Sequence, residues 1–230
     1  LCLWKLKKYI MPAAITNFDE KNYTDGFIKG LYTKEYHNNH WSIFRPRNLN
    51  AARIIHETLQ FDSIVDFGCS IGTYLEYYLS QGCEIKGYEY CYDECKTIIE
   101  NVDGLIDCIE FGDVTTEIKT TKKYDVSSSS EVAEHIPTSK SDIFVNNLCN
   151  AANKYIFLTA AGEGQGGTGH INCQKQSFWV DKFKDRGWER YLEMEKIMKD
   201  KMKPVYSNDN NNEYPIVWSF IHDNMMIFKK

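Results

Sequence analysis

With 230 residues, 43% of them hydrophobic and 26% charged, the chain has room for one sizeable α/β domain with modest extensions. Its net charge of −5 and pI of 5.7 argue against a broad basic footprint for nucleic acid. No apolar stretch reaches the ~18 residues of a spanning helix, so a soluble, cytoplasmic protein with no membrane partner is expected.

Residues 1–47 lack a clear hydrophobic period and hold many aromatics, including Phe18, Tyr23, Phe27, Tyr32, Tyr36, Trp41 and Phe44. They read as an N-terminal arm or lid, followed by a main domain over 48–230, because such a segment has too little core of its own. The lysine-interrupted stretch from Leu1 to Pro12 has neither the apolar core of a signal peptide nor the length of a membrane span. It does not start with Met, as a fragment would not. From Arg47 to Leu59 the pattern turns helical, with Leu49, Ala52, Ile55 and Leu59 near one face. Strands then alternate with helices, which favours a mostly parallel sheet covered on both faces. The strands are predicted over Ser63–Phe67, Glu84–Glu89, Ile106–Phe111, Tyr124–Ser129 and Lys154–Thr159. The helices are predicted over Thr73–Gln81, Cys91–Asn101, Ser139–Ala152 and Lys175–Arg186. Beyond Gly187 come a short strand near Trp188–Leu192, an exposed Met- and charge-rich helix over Glu193–Lys203, and a last strand over Asn224–Lys230. The polar run Asn208–Glu213, flanked by Pro204 and Pro215, reads as a loop.

The eight cysteines are scattered, and the one close pair, Cys91 and Cys95, lacks the spacing of a redox or zinc motif. Reduced thiols are expected.

The run Ser63-Ile-Val-Asp-Phe-Gly-Cys-Ser-Ile-Gly-Thr73 describes a buried strand that ends in an acid, turns on glycines and opens a helix. Gly68 and Gly72 have no Cβ, so backbone N–H groups can approach a ligand closely there. Glu89 closes the next strand 89 − 68 = 21 residues after Gly68, near the ~20 expected of a carboxylate that grips ribose hydroxyls. Asp66, Glu89 and Asp113 follow three successive strands, and in a doubly wound sheet these ends share one ligand-binding edge. Three acids there suit a ligand with hydroxyls, an amine and a cationic group, and would repel a polyphosphate. The spacing Gly68-x-x-x-Gly72 also differs from the Gly-x-Gly-x-x-Gly of nicotinamide dehydrogenases.

Taken in order, Val65-Asp-Phe-Gly-Cys-Ser-Ile-Gly72, Glu89, Gly112-Asp113 and Tyr124-Asp-Val-Ser-Ser-Ser-Ser-Glu-Val-Ala-Glu-His-Ile-Pro137 resemble the class I S-adenosylmethionine-dependent methyltransferases over about residues 50–160. The resemblance implies a Rossmann-like, doubly wound, mostly parallel seven-stranded α/β sheet with an antiparallel last strand. It also implies that the turn, with Asp66, Gly68, Cys69, Ser70 and Gly72, holds the methionine part of S-adenosyl-L-methionine. Glu89 would then take the ribose, with Asp113 by the adenine and Tyr90, Val114 and Glu131 as further cofactor contacts. Ser70 stands where this family often has glycine; serine is strained at positive φ, so a local difference is expected there.

Glu131-Val-Ala-Glu-His135 follows the fourth strand. On a helical turn, Glu131, Glu134 and His135 share a face as i, i+3 and i+4. Two carboxylates and an imidazole are a plausible set for Mg²⁺ or Mn²⁺, with His170 as the further ligand. Similar Glu-x-x-Glu-His segments occur in ubiquinone-type O-methyltransferases and small-RNA 3′-end methyltransferases, and also in relatives with no known metal. His170 closes the five-glycine loop Ala161–His170, which reaches the same sheet edge. It is the first candidate for catalytic base or metal ligand, with His135 second; a histidine that only pins the loop is the structural alternative. Ile171-Asn-Cys-Gln174 and Phe178-Trp179 are candidate substrate contacts, and Tyr32, His37, His40, Trp41 and Arg45 could reach the site if the arm folds over it. The expectation is a methyltransferase acting on oxygen of a small molecule or sugar. A ribose methyltransferase of RNA ends and a non-catalytic cofactor-binding module on the same fold are the alternatives. The oligomeric state is not legible.

Overall fold

The computed structural model describes residues 23–202 and 219–230, so the Leu1–Pro12 stretch, Phe18 and the Asn208–Glu213 loop lie outside the described residues. Two helices precede the sheet: α1 (Asp25–Leu31) and α2 (Lys34–Leu59). Each starts on a threonine whose Oγ1 accepts a first-turn N–H at 3.2 Å, Thr24 from Phe27 and Thr33 from Tyr36. The expected start at Arg47 is therefore a correction, and the 47/48 division falls inside α2. The missed turns are rich in Tyr, His and Asn, which are indifferent helix formers, and Pro46 reads as a helix stop.

The strands are β1 (Ser63–Phe67), β2 (Glu84–Glu89), β3 (Ile109–Phe111), β4 (Tyr124–Ser130), β5 (Ala152–Thr159), β6 (Glu189–Arg190) and β7 (Met225–Lys229). They form one seven-stranded sheet in the order β3-β2-β1-β4-β5-β7-β6. Pairing is parallel from β3 through β5, and β7 runs antiparallel to both its neighbours. This is the expected architecture. Two expected strands are shortened: residues 106–108 form a 3-10 turn ahead of β3, and β6 is two residues long.

Helices α3 (Thr73–Ser80), α4 (Tyr92–Ile99) and α7 (Leu192–Met202) join α2 on one face of the sheet, around Ile55, Leu75, Ile98 and Met198. Helices α5 (Ser141–Ala151) and α6 (Gln176–Lys184) cover the other face with Phe144, Leu148, Trp179 and Phe183. Two expectations are corrected here. Helix α7 is exposed on one face only, because its own Glu195, Met198 and Met202 are buried while Leu192 and Ile197 stay exposed. Trp179 is a core residue at 0% exposure, not a substrate contact, because α6 turns that face onto the sheet.

Strand β4 carries four consecutive serines in a central position, against ordinary strand preference. Three of the four hydroxyls are paired: Ser127 donates to the Leu148 carbonyl (2.9 Å), Ser128 to Asp66 Oδ1 (2.7 Å) and Ser129 to the Phe67 carbonyl (2.7 Å), while the buried Ser130 hydroxyl has no partner among the described residues. No helix among the described residues is long and apolar enough to cross a membrane. The seven cysteines described are all free; Cys2 is outside that range.

Candidate active site

The turn after β1 is built by left-handed backbone at Gly68 (φ 79°), Ser70 (φ 51°) and Gly72 (φ 72°). A side chain at Gly68 would strike Val132, and one at Gly72 would strike Ile109 at 2.6 Å, so both positions need glycine twice over. Ser70 does take the strained conformation, and Glu89 holds it there. Glu89 Oε2 accepts the Ser70 N–H at 2.7 Å while Oε1 accepts the Cys91 N–H at 2.8 Å. The end of β2 thus clasps the turn after β1. Burial raises the Glu89 carboxyl, and the N–H groups of Cys91, Ser70 and Tyr90 oppose that rise. Beneath the turn Asp66 is buried against Ser128, and burial pushes it up to about 7, with the Ser128 hydroxyl opposing and Glu89 adding. Cys69 is buried beside both acids, and burial first, then their charge, pushes its thiol well above the ordinary value.

Further along the edge, Gly112 N–H donates to the Glu89 carbonyl, and Asp113 Oδ1 closes its own turn by accepting Thr115 N–H (2.8 Å) and Oγ1 (2.7 Å). Val114 is buried behind it. The Tyr90 and Phe111 rings stand 5.7 Å apart, and Phe111 is 59% exposed. That leaves an aromatic wall open to a planar ring.

After β4 the chain makes a 3-10 turn at Ala133–His135, not the α-turn expected, and Glu131 lies outside it with φ 54°. Glu131 therefore lies off the turn that carries Glu134 and His135, although its charge still reaches Glu134. The Glu131 N–H donates to the Thr159 carbonyl and Oγ1, and its carboxylate accepts from Asn224 Nδ2 at 3.1 Å. The ligand atoms of Glu134, His135 and His170 do converge, all within 4.8 Å of one another. Glu134 is 0% exposed with no hydrogen-bond partner on either oxygen among the described residues. Burial, then the charge of Glu131, raises it well above the usual carboxylate range. His170 Nε2 stands 4.0 Å from Glu134 Oε1, and its Nδ1 lies 3.2 Å from the Gln165 carbonyl. His135 Nδ1 lies 3.1 Å from the Gly169 carbonyl. An Nδ1 proton donated to the Gln165 carbonyl leaves the His170 Nε2 lone pair facing Glu134, the usual second-shell arrangement of a metal-binding histidine, whereas His135 Nε2 also has the Tyr32 hydroxyl 3.3 Å away. Burial, with His170 adding, pushes His135 down to about 3, and burial also lowers His170. Both imidazoles are neutral near pH 7, as ligation or proton acceptance requires.

The glycine loop is tied back by Asn172, which is 1% exposed. Its Nδ2 donates to the Ala133 carbonyl and Ser141 Oγ, and its Oδ1 accepts from Thr138 and Gln174. Asn172 is a brace for the 133–141 segment, not a substrate contact. Cys173 Sγ lies 3.4 Å from His170 Nδ1.

The N-terminal helices do fold over this edge. Asp25 Oδ1 accepts the Tyr90 hydroxyl at 2.6 Å, and Tyr32 Oη lies 3.1 Å from His135 Nδ1. His37 Nδ1 is 3.3 Å from Ser70 Oγ. The other arm candidates do something different: Arg45 pairs with Glu76 and lies over the Trp41 ring, and His40 packs between Tyr36 and Phe44. Sequence reasoning missed Asp25 and Asn224, which carry no motif and reach the site through tertiary packing.

No model of a known protein family matches the chain, and no curated protein matches it. Solved structures do. Streptomyces venezuelae DesVI superposes with a TM-score of 0.55 at 14% identity, covering 67% of this chain and 91% of that one. The O-methyltransferase from a trans-AT PKS multienzyme of Brevibacillus brevis, in complex with S-adenosyl-L-homocysteine, gives 0.52 at 13%, covering 77% and 71%. A TehB-like S-adenosylmethionine-dependent methyltransferase from Corynebacterium glutamicum gives 0.51 at 15%, covering 79% and 87%. At these identities the likeness establishes the fold: this chain has the class I methyltransferase fold.

Proposed function

We propose that the chain is an S-adenosyl-L-methionine-dependent methyltransferase that methylates an oxygen of a small molecule or sugar. The observation that carries this is the Glu89–Ser70 clasp over the glycine turn, one strand away from the Glu134, His135 and His170 cluster. In this reading Glu89 takes the ribose hydroxyls, Tyr90, Asp113 and Val114 the adenine, and the turn from Asp66 to Gly72 the methionine group. Glu131, facing Asn224 at the end of β4, borders the transferred methyl. The cofactor supplies an electrophilic methyl group, and the protein's part is to hold an acceptor oxygen in line with it.

The donor set fits a divalent metal. Glu134 brings a buried carboxylate with no partner of its own, and His135 and His170 bring neutral imidazoles braced by carbonyls. Glu134, His135 and His170 would hold Mg²⁺ or Mn²⁺, which supplies a Lewis acid that eases loss of the acceptor hydroxyl proton. Without metal, His170 Nε2 is the group placed to take that proton.

The test is transfer of a labelled methyl group to sugars, phenols and RNA ends, with and without a chelator. Label on a sugar or phenol, lost with chelator and restored by Mn²⁺, is the expected result. Label on RNA alone would replace the acceptor class, and chelator-insensitive transfer would remove the metal and leave His170 as the base. His170→Ala should bind cofactor normally and turn over at least ~100-fold more slowly.

A further inference from the structure

We propose that Tyr32, carried by the N-terminal helices, positions His135 for the chemical step by serving as the adjustable hydrogen-bond partner of its imidazole. This deepens the reading above, in which His135 belongs to the chemical cluster. It assigns that cluster a residue from outside the sheet and makes the docking of α1 part of building the site.

Tyr32 follows the last residue of α1, and its backbone N–H donates to the Ile28 carbonyl at 3.1 Å. That cap fixes where the side chain leaves the helix. Its ring stands edge-on to His135, with centroids 5.7 Å apart and planes at 90°, and edge-on to Tyr36 at 5.2 Å. Its hydroxyl oxygen lies 3.1 Å from His135 Nδ1 and 3.3 Å from Nε2. Beside it, Leu31 presses on the other brace of the same ring. A Cβ at Gly169 would come within 2.8 Å of Leu31 Cδ1 and 3.4 Å of His135 Nδ1, and the Gly169 carbonyl is 3.1 Å from that nitrogen. Two consecutive residues of the arm therefore bear on His135, one directly and one through the glycine loop.

An imidazole withdrawn from water has two nitrogens to satisfy in every state it adopts. The Gly169 carbonyl can only accept, so it serves Nδ1 only while that nitrogen carries a proton. A hydroxyl both donates and accepts, and its proton turns without any movement of the ring. Tyr32 can thus answer either tautomer of His135, and can follow the ring when one nitrogen is given to a metal ion. Burial first, then Tyr36 and Glu134, hold the phenol well above its ordinary value, so it keeps the proton it needs to donate. Phenylalanine in its place would pack as well and could do neither.

The experiment therefore uses Tyr32→Phe, which keeps the ring and removes only the hydroxyl. Mn²⁺ binding is followed by electron paramagnetic resonance of the free ion, and S-adenosylhomocysteine binding by calorimetry, in the wild-type protein and the variant. Mn²⁺ affinity should fall about 10- to 100-fold, as when the outer partner of a metal-binding histidine is removed, while S-adenosylhomocysteine affinity stays within about 3-fold. Equal weakening of both would mean that the hydroxyl only holds the arm in place. Unchanged Mn²⁺ affinity would mean that it does not hold His135; either result overturns the proposal. Wild-type protein that binds no Mn²⁺ removes the metal reading by itself, before any variant is made. ¹⁵N-histidine spectra of the metal-free proteins then decide on Tyr32: the His135 ring resonances should move on Tyr32→Phe, and resonances that stay in place overturn the proposal.

Discussion

Asp66→Asn should make the protein more stable at alkaline pH and change the shape of its stability profile. Asp66 is 4% exposed, and burial raises its carboxyl from 3.8 to about 7 despite the Ser128 hydrogen bond. A folded-state value above the unfolded one means that the native protein holds a proton the unfolded chain has already lost. The stability Asp66 contributes is thus complete below its unfolded value and is lost as pH rises through about 7. The whole shift corresponds to ~4 kcal/mol, at about 1.4 kcal/mol per unit. Part of it is already lost at about pH 5, so between there and about pH 8.5 the wild type should lose ~3 kcal/mol relative to the variant. Asparagine keeps an oxygen for the Ser128 hydroxyl and cannot ionise, so the difference between the two proteins isolates this one group. Urea denaturation followed by tryptophan emission suits the measurement, because Trp179 and Trp188 are fully buried. Profiles that run parallel to within about 1 kcal/mol across that range would show that Asp66 is not held protonated, and the reasoning from burial would fail.

Three further substitutions probe the parts that build the site. Glu89→Ala leaves the N–H groups of Ser70 and Cys91 without their acceptor, and should cost about 2 kcal/mol in denaturant titrations and abolish S-adenosylhomocysteine binding. Asn172→Ala removes four hydrogen bonds, three of which join the glycine loop to the 133–141 segment; a loss of about 2–4 kcal/mol is expected, with turnover falling before cofactor affinity does. Glu195→Ala, on the far side of the sheet, strands a bidentate Arg190 and the Ile227 N–H of β7, so a drop of about 3–5 kcal/mol is expected in the same assay with no change in ligand affinity.

The parts of the site that were legible in the sequence are local ones. Buried runs ending in acids at Asp66 and Glu89 gave away β1 and β2, since a strand covered on both faces must be apolar along its length. Gly68 and Gly72 marked the turn because little else fits where Val132 and Ile109 press on the backbone. The departure at Ser70 was also readable, but not its remedy, because the clasp from Glu89 comes from another strand.

By itself, then, the sequence determined the order of β1 to β5 with the helices between them, and the three acids that follow β1, β2 and β3, because periodicity and turn chemistry act over a few residues. Only the tertiary structure decided that Asp25 reaches Tyr90, that Glu131 pairs with Asn224, and that His37 comes to rest on Ser70. Each of these depends on contacts between residues about 30 to 90 positions apart, and such contacts follow from which faces pack together, a choice made by the whole core and by no single segment.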